Sequence, residues 1–361
     1  MAYNILGVTP GHNGSACVLS DGELVYFLEE ERLSRLKRDG NPFRVIYDII
    51  SRYKIDELVV AGVDNQSPPL IHTGEDLYHG IIRKYYPNVK SSGATSDRHH
   101  LTHSFYSFYN SGFTKAISVV VDGLGSTNEY LLNGKKIKSA EIESIYIHEY
   151  PDKYTLYNST QLNYKLKNNI KNKIYNFTNI IGIGLAYDSI SQYLGFGELE
   201  AGKTMGLSSY GKFNPNIPSL LKDKSIYEYF SKDDTQFPSI KKNILDGYLP
   251  EDIAYKMQEE SQQAVGDYIE KILNDTDIKQ VCCAGGYFLN CVANYYLTKR
   301  FPDIEFYFEP IANDAGTSIG AAKWAWHSHT QDKTIRPRKT LYHGPQYSKE
   351  QLLEGIKKYN N

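Results

Sequence analysis

Cysteine is scarce in this chain: four residues in 361, three bunched at Cys282, Cys283 and Cys291 and one far away at Cys17. That density and spacing exclude a disulfide scaffold and a zinc ribbon, so the thiols are expected as reduced core residues. No apolar run approaches the ~20 residues of a membrane span, and the opening MAYNILGVTPGHNG has neither the basic nor the long apolar stretch of a secretory signal. A soluble, cytoplasmic protein is expected. An excess of one charge is also missing. Lys+Arg 40 against Asp+Glu 42 leaves a net −2, which excludes a strongly basic scaffold, and 41% apolar residues exclude a disordered tail. Partners must therefore be read from local sites.

The chain is too long for one ordinary domain and suits two or three, with room for a sizeable core. Tyrosine is abundant at 31 residues, and Lys, Asn and Ile are frequent, the mark of an A/T-rich genome. Lys-Asn-Tyr patches such as NYKLKNNIKNKIYNF therefore carry little weight as nucleic-acid sites.

The first forty residues read as strand Ile5–Val8, a glycine-bearing loop Thr9–Ser15, strand Ala16–Leu19, an Asp21-Gly22 turn and strand Leu24–Leu28. The same grammar returns later: strand Ile117–Val121, loop Asp122–Thr127, strand Glu129–Leu132, turn Asn133-Gly134 and strand Lys136–Ser139. The chain reads as an internal duplication. Between the two units lie a helix over Phe43–Tyr53, a strand over Glu57–Gly62 and a helical stretch over Leu101–Ser111. Pro151–Asn179 is polar and weakly periodic, as an insertion or mobile surface region would be, and Pro215–Asp246 reads as capping loops and short helices. A helix Leu185–Leu194, the glycine-rich segment Gly195–Gly211 and an amphipathic helix Glu251–Leu273 lead to a buried strand, Val281–Ala284. Gly285-Gly286 then opens a helix Leu289–Arg300, and strand Glu305–Phe308 precedes a loop from Pro310 and a helix through Trp326. Strands alternating with helices define an α/β protein with ligand loops at its strand ends.

His99 and His103 are four apart at the start of a predicted helix, so both imidazoles project from one face, which suits either metal ligation or capping. Asp122, ending an apolar strand, and Asp314, in an Asn-Asp-Ala-Gly loop, supply carboxylates from other elements. A two-His, two-Asp set suits iron(II), manganese or zinc better than copper(I). Gly285 and Gly286 sit where a backbone approaches a ligand closely, although the pattern is neither a Walker A sequence nor GxGxxG. Together with the loops at Gly11, Gly123 and Gly316 they could surround a nucleotide cleft. Lys203 is a candidate phosphate or carboxylate contact, or a solvated loop lysine. The run Glu29–Arg38 changes sign along its length, which also suits a helix dipole. His12, in a glycine-flanked loop, is a candidate general base or hydrogen-bond donor.

These segments together resemble a family. GHNGSA, EEERLSRLKRDGNPF, RHHLTH, VVVDGLG, LAYDSISQYLGFGELEAGKTMGLSSYGK, AGGYFLNCVAN and EPIANDAGTSIGAA look like the successive motifs of the NodU-type O-carbamoyltransferases, which include cephalosporin and aminoglycoside carbamoylating enzymes. The resemblance implies an actin-like ATPase (ASKHA) fold of two RNase-H-like subdomains, at 1–112 and 113–335, with duplicated phosphate-binding β-hairpins and insertions at 151–179 and 215–246. It implies an iron-type or other divalent metal on His99, His103, Asp122 and Asp314. Gly123, Gly285, Gly286 and Asn290 would bind nucleotide, with Lys203 near the phosphates. His12, with Lys37 or Arg38, would lie near the transferring carbamoyl group.

The activity so implied is biosynthetic: transfer of a carbamoyl group from carbamoyl-adenylate, made from carbamoyl phosphate and ATP, to an acceptor hydroxyl. Similar proteins continue into a YrdC-like domain that makes this donor. Residues 336–361 resemble only its linker and first helix, so the activating half is expected from a partner chain or from a longer protein, unless a ready-made donor is used. A homodimer is expected by analogy. Two alternatives stand beside this reading: a tRNA threonylcarbamoyltransferase-like enzyme, for which net −2 supplies no tRNA-sized basic face, and a non-catalytic nucleotide-binding regulatory subunit.

Overall fold

The computed structural model describes residues 2–61, 77–92, 98–132, 134–232 and 235–359. Its first sheet contains β1 (Asn4–Thr9), β2 (Ser15–Ser20), β3 (Glu23–Glu29), β4 (Glu57–Val60) and β5 (Lys90–Ser91), in the order β3-β2-β1-β4-β5. The first three are antiparallel neighbours, whereas β4 and β5 run parallel to β1. Both residues of the Asp21-Gly22 turn have positive φ, at 46° and 83°, as a tight hairpin turn between twisted strands requires. The expected strand at Glu57 ends at Val60; Gly62 lies outside the described residues.

The second sheet repeats this plan on a larger scale. It contains β6 (Lys115–Val121), β7 (Thr127–Leu132), β8 (Lys135–Glu149), β9 (Lys153–Leu162), β10 (Ile170–Lys171) and β11 (Tyr175–Thr178). A separate ribbon of β12 (Tyr227–Lys232) and β13 (Thr235–Ile240) follows, and then β14 (Gln280–Ala284) and β15 (Glu305–Phe308) complete the sheet. Its path β9-β8-β6-β14-β15 has the strand directions of β3-β2-β1-β4-β5. The duplication is therefore real at the level of the sheet, and the fold is the actin-like ATPase type.

Two local expectations are corrected. The strand at Lys136–Ser139 runs on to Glu149, and it is this continuation that pairs with β6, while β7 forms a side hairpin with Lys135–Ala140. Asn133, in the turn of that hairpin, lies outside the described residues. The stretch Pro151–Asn179 is no surface appendage either, because β9 is an integral strand. Its periodicity is weak because its buried side chains are polar: Ser159 meets Ser144 Oγ at 3.1 Å and accepts from Gln161 Nε2 at 2.6 Å inside the sheet. The segment 215–246 does form loops and a ribbon, and it packs Ile217, Leu220 and Leu245 into the main core.

Ten helices are described: α1 (Glu31–Ser34), α2 (Phe43–Arg52), α3 (Leu77–Tyr85), α4 (His99–Ser111), α5 (Ile183–Tyr193), α6 (Ala201–Ser208), α7 (Pro250–Asp275), α8 (Cys291–Arg300), α9 (Thr317–Thr330) and α10 (Lys349–Tyr359). In α7, Pro250 and the acidic Glu251 and Asp252 occupy the first turn, where a missing N–H costs nothing and negative charge is favoured. The acid-rich run at Glu29–Arg38 forms only the short α1, and Glu30 instead caps α2 by accepting from Arg44 N at 3.2 Å and Val45 N at 3.0 Å. Among the described residues no helix is long and apolar enough to cross a membrane.

Two helices are exchanged across the expected boundary between residues 112 and 113. α4 packs on β6, β8 and β14 of the second sheet, while α9 returns to β1, β2 and β4 of the first. Ile319, Ala322 and Ala325 of α9 share one cluster with Ile5, Leu19 and Val59. α4 and α9 also pack on each other, and a Cβ at Gly320 would collide with Thr102 O. The two halves are thus joined by a helix pair in backbone contact. Downstream, Arg338 N donates to Asn110 O at 2.9 Å, and Phe27 N donates to His343 O at 3.1 Å, so the chain after α9 straps both halves. α10 buries none of its side chains.

Gly320→Ala should overpack the α4–α9 contact and cost about 1–3 kcal/mol in urea unfolding. Gly206→Ala, in a helix with open space at the Cβ position, should be neutral or stabilising by ~0.4–1 kcal/mol.

Candidate functional site

His99 and His103 lie one turn apart on α4 with their Nε2 atoms 3.1 Å apart. Asp122, immediately after β6, places Oδ2 3.1 Å from His99 Nε2 and 3.7 Å from His103 Nε2. Asp314 opens a short turn capped by the Asn313 side chain, which accepts from Ala315 N, and its Oδ1 is 3.4 Å from each imidazole. All four side chains are buried, and one donor atom from each lies within 4.8 Å of all the others. The structure therefore brings together the four predicted ligand residues from three elements.

The electrostatics of this cluster demand positive charge. Burial alone would lower the pKa of His99, but the carboxylates of Asp314 and Asp122 raise it well above the usual histidine value. Burial and the Asp314 charge would raise Asp122, yet His99 and His103 hold it below the usual carboxylate range. Two neighbouring carboxylates in a dry interior are stable only beside a compensating cation, either protonated imidazole or a metal ion. The donors suit an ion with bonds of ~2.0–2.2 Å, and imidazole with carboxylate is a borderline set for iron(II), manganese or zinc. By this test the residues fit a divalent metal. His100 points elsewhere. Burial pushes its pKa down to about 3, and its Nδ1 lies 2.9 Å from Ser144 Oγ, so it is a neutral packing residue.

The loop carrying His12 is fixed by Gly11 N donating to Gly40 O at 2.9 Å and Gly14 N donating to Asp39 O at 3.0 Å. His12 remains 34% exposed, and its Nδ1 is 3.2 Å from Asp314 Oδ2, which raises the imidazole to about 9 against the effect of burial. It therefore joins the cluster. Lys37 and Arg38 find their partners elsewhere: Lys37 Nζ lies 3.2 Å from Glu200 Oε1, and Arg38 donates to the carbonyls of Glu198 and Leu199. Lys203 Nζ is 2.6 Å from Glu200 Oε2. Glu200, which the sequence reading missed, thus gathers both lysines and ties the segment after α1 to the N-terminus of α6.

Gly285 needs its glycine, since φ is +94° and a Cβ would strike Val121 O. Gly286 N donates to Asp122 Oδ1 at 2.9 Å, which links the glycine loop to the His–Asp cluster. Gly123 has open space where a side chain would be. Asn290 is engaged differently from a nucleoside contact: its side chain caps α8 by accepting from Ala293 N at 3.0 Å and pairs with Gln258 at 2.8 Å. Cys17, Cys282 and Cys283 are buried as expected, whereas Cys291 is exposed and touches Met205 sulfur at 3.9 Å.

Glu141 and Glu143, also missed, lie on β8 at a register shift against β9. Two acids separated by one isoleucine, just ahead of the apolar run Ile145–Ile147, were the available signal. Glu143 accepts from Ile183 N at 3.0 Å and lines a cavity of about 600 Å³ between β8, β9 and α7.

A family model described as the carbamoyltransferase N-terminus matches residues 77–323. The nodulation protein NolNO of Sinorhizobium fredii is 24% identical over 378 residues, covering 95% of this chain and 50% of that protein. An uncharacterized protein of Synechocystis is 23% identical over 422 residues, covering 98% of this chain and 62% of its own. The chain thus spans about half to three-fifths of these relatives. Full-length HypF, solved in a phosphate- and nucleotide-bound form, has the same fold at a TM-score of 0.53 and 16% identity, covering 91% of this chain and 56% of HypF.

Burial raises the Glu143 carboxyl to about 7, so its folded form favours the proton. Its contribution is complete below the unfolded value of ~4.3 and is lost as pH rises through about 7. Relative to Glu143→Gln, the wild type should lose about 2 kcal/mol between pH 5 and pH 8 in denaturant titrations.

Proposed function

This chain belongs to the carbamoyltransferase N-terminal family, and from that premise we propose that it transfers a carbamoyl group from carbamoyl-adenylate to an acceptor hydroxyl. The observation that carries the proposal is the buried His99–His103–Asp122–Asp314 cluster, all of it within the family's matched segment, with His12 at its edge. We assign the cluster to a divalent metal, iron(II) or a similar ion. When bound, such an ion would supply positive charge against a phosphate leaving group.

The chain's own residues have separable tasks. Gly285 and Gly286 allow backbone to approach the nucleotide, and the Gly286 amide, by holding Asp122 Oδ1, leaves Oδ2 directed at the imidazoles. Gly123 offers a second open backbone position, and Lys203 supplies charge for the phosphates once released from Glu200. Asn290 acts indirectly, by setting the start of α8. His12 holds Asp314 through Nδ1, which leaves Nε2 to exchange a proton with the acceptor hydroxyl or to donate to the carbamoyl oxygen. Lys37 and Arg38 position the wall beside it through the 198–200 segment. The nucleotide assignment is supported by the fold shared with HypF.

We infer that the donor derives from carbamoyl phosphate and ATP. An ATP-dependent reaction and four unpaired cysteines fit a cytoplasmic setting.

The test is elemental analysis with ATP titration on wild type and on His99→Ala/His103→Ala, prepared anaerobically with iron supplied. Wild type should retain metal and the double variant should not, with transfer reduced at least ~100-fold, since several kcal/mol of charge stabilisation is lost. A metal-free double variant with wild-type transfer would refute the assignment.

A further inference from the structure

The cluster draws three of its four ligands from α4 and from the end of β6, and both are fastened to β8. At residues 140–143 β8 changes partner, from β7 to β6, and its ladder with β9 shifts register. Such an irregularity re-aims side chains. Here it directs Glu141 to the N-terminus of α4 and Glu143 to the N-terminus of α5.

Glu141 Oε2 accepts from His100 N at 3.4 Å and from Ser126 N at 3.3 Å, so one buried carboxylate oxygen spans the helix and the loop that follows Asp122. Ser126 Oγ accepts in turn from His99 N at 3.1 Å. Arg98, at the N-cap position, does not cap the helix with its side chain. The first two amides of α4, which no helical carbonyl can satisfy, are therefore served by Glu141 and Ser126, where negative charge also opposes the helix dipole. The backbone closes the same loop: Gly125 N donates to Glu141 O at 2.8 Å and Glu141 N to Ser126 O at 3.1 Å. Contact is tight, since a Cβ at Gly125 would lie 2.7 Å from His100 Cδ2 and 2.9 Å from Glu141 Oε2.

We propose that Glu141 is a positioning residue that fixes His99 and His103 relative to Asp122, and so sets the metal affinity of the cluster without touching the ion. This rests on the metal assignment above. Glu143, equally buried but directed at α5, is the control.

Manganese(II) serves as the probe, titrated by calorimetry into metal-free wild type, Glu141→Ala, Glu141→Gln, Ser126→Ala and Glu143→Gln, with Tm measured in each metal-free protein. Glu141→Ala should weaken binding by ~10–100-fold, the range found for groups that orient ligands. Glu141→Gln, which keeps an acceptor oxygen, should recover most of the affinity, and Glu143→Gln should match wild type. The electron paramagnetic resonance line shape of bound manganese should change in Glu141→Ala, which a general loss of stability would not produce. Unaltered affinity and line shape in Glu141→Ala, whatever its Tm, would overturn the proposal. Should that variant not fold, Glu141→Asp decides, with weakened binding expected and wild-type binding contrary. Failure of wild type to bind manganese or iron would instead remove the metal assignment itself, and the positioning role with it.

Discussion

Two carboxylates, Asp122 and Asp314, stand buried against the same pair of imidazoles, and the remainder of the structure is organised to make that tolerable. Like charges in an interior of low polarity repel strongly unless a cation and fixed hydrogen bonds compensate. Compensation arrives from every side: His99 and His103 from α4, the Gly286 amide on Asp122, His12 on Asp314. Each of these groups requires its own element to be in register. The glycines at 125, 285 and 320 follow from this demand, since each permits two backbones or a backbone and a ring to approach where a Cβ would collide.

The features legible in the sequence were those with a local signature. A spacing of four residues sufficed to place His99 and His103 on one face, and an acid ending an apolar strand sufficed to place Asp122 at a sheet end. The Asp-Gly turn and the three strands that open the first unit were equally local. What escaped depends on partners distant along the chain. β9 was unreadable because its buried residues include serine, threonine, asparagine and glutamine, satisfied by one another, by β8 and by groups remote in sequence such as Ile174 and Tyr268. Asn290 was singled out by the resemblance alone, and its pairing with Gln258 had no local signal because that partner is remote in sequence. Glu200 and Glu141 draw their meaning wholly from what crosses them.

The exchange of α4 and α9 between the halves escaped for a related reason. Both helices are apolar enough to serve either sheet, and nothing in their periodicity states which. The structure decides through small residues: Gly320, Ala321 and Ala322 let α9 lie against α4 on one side and the first sheet on the other. The expected boundary at 112/113 therefore separates α4 from the sheet on which it packs.

That exchange has a consequence for the site. Asp314 precedes α9, which belongs to the first sheet by packing, while His99, His103 and Asp122 ride with the second. An ion held among them would cross-link the two sheets through their loops, so that ion binding and the docking of α9 on the first sheet would be reciprocally linked: loosening either would weaken the other.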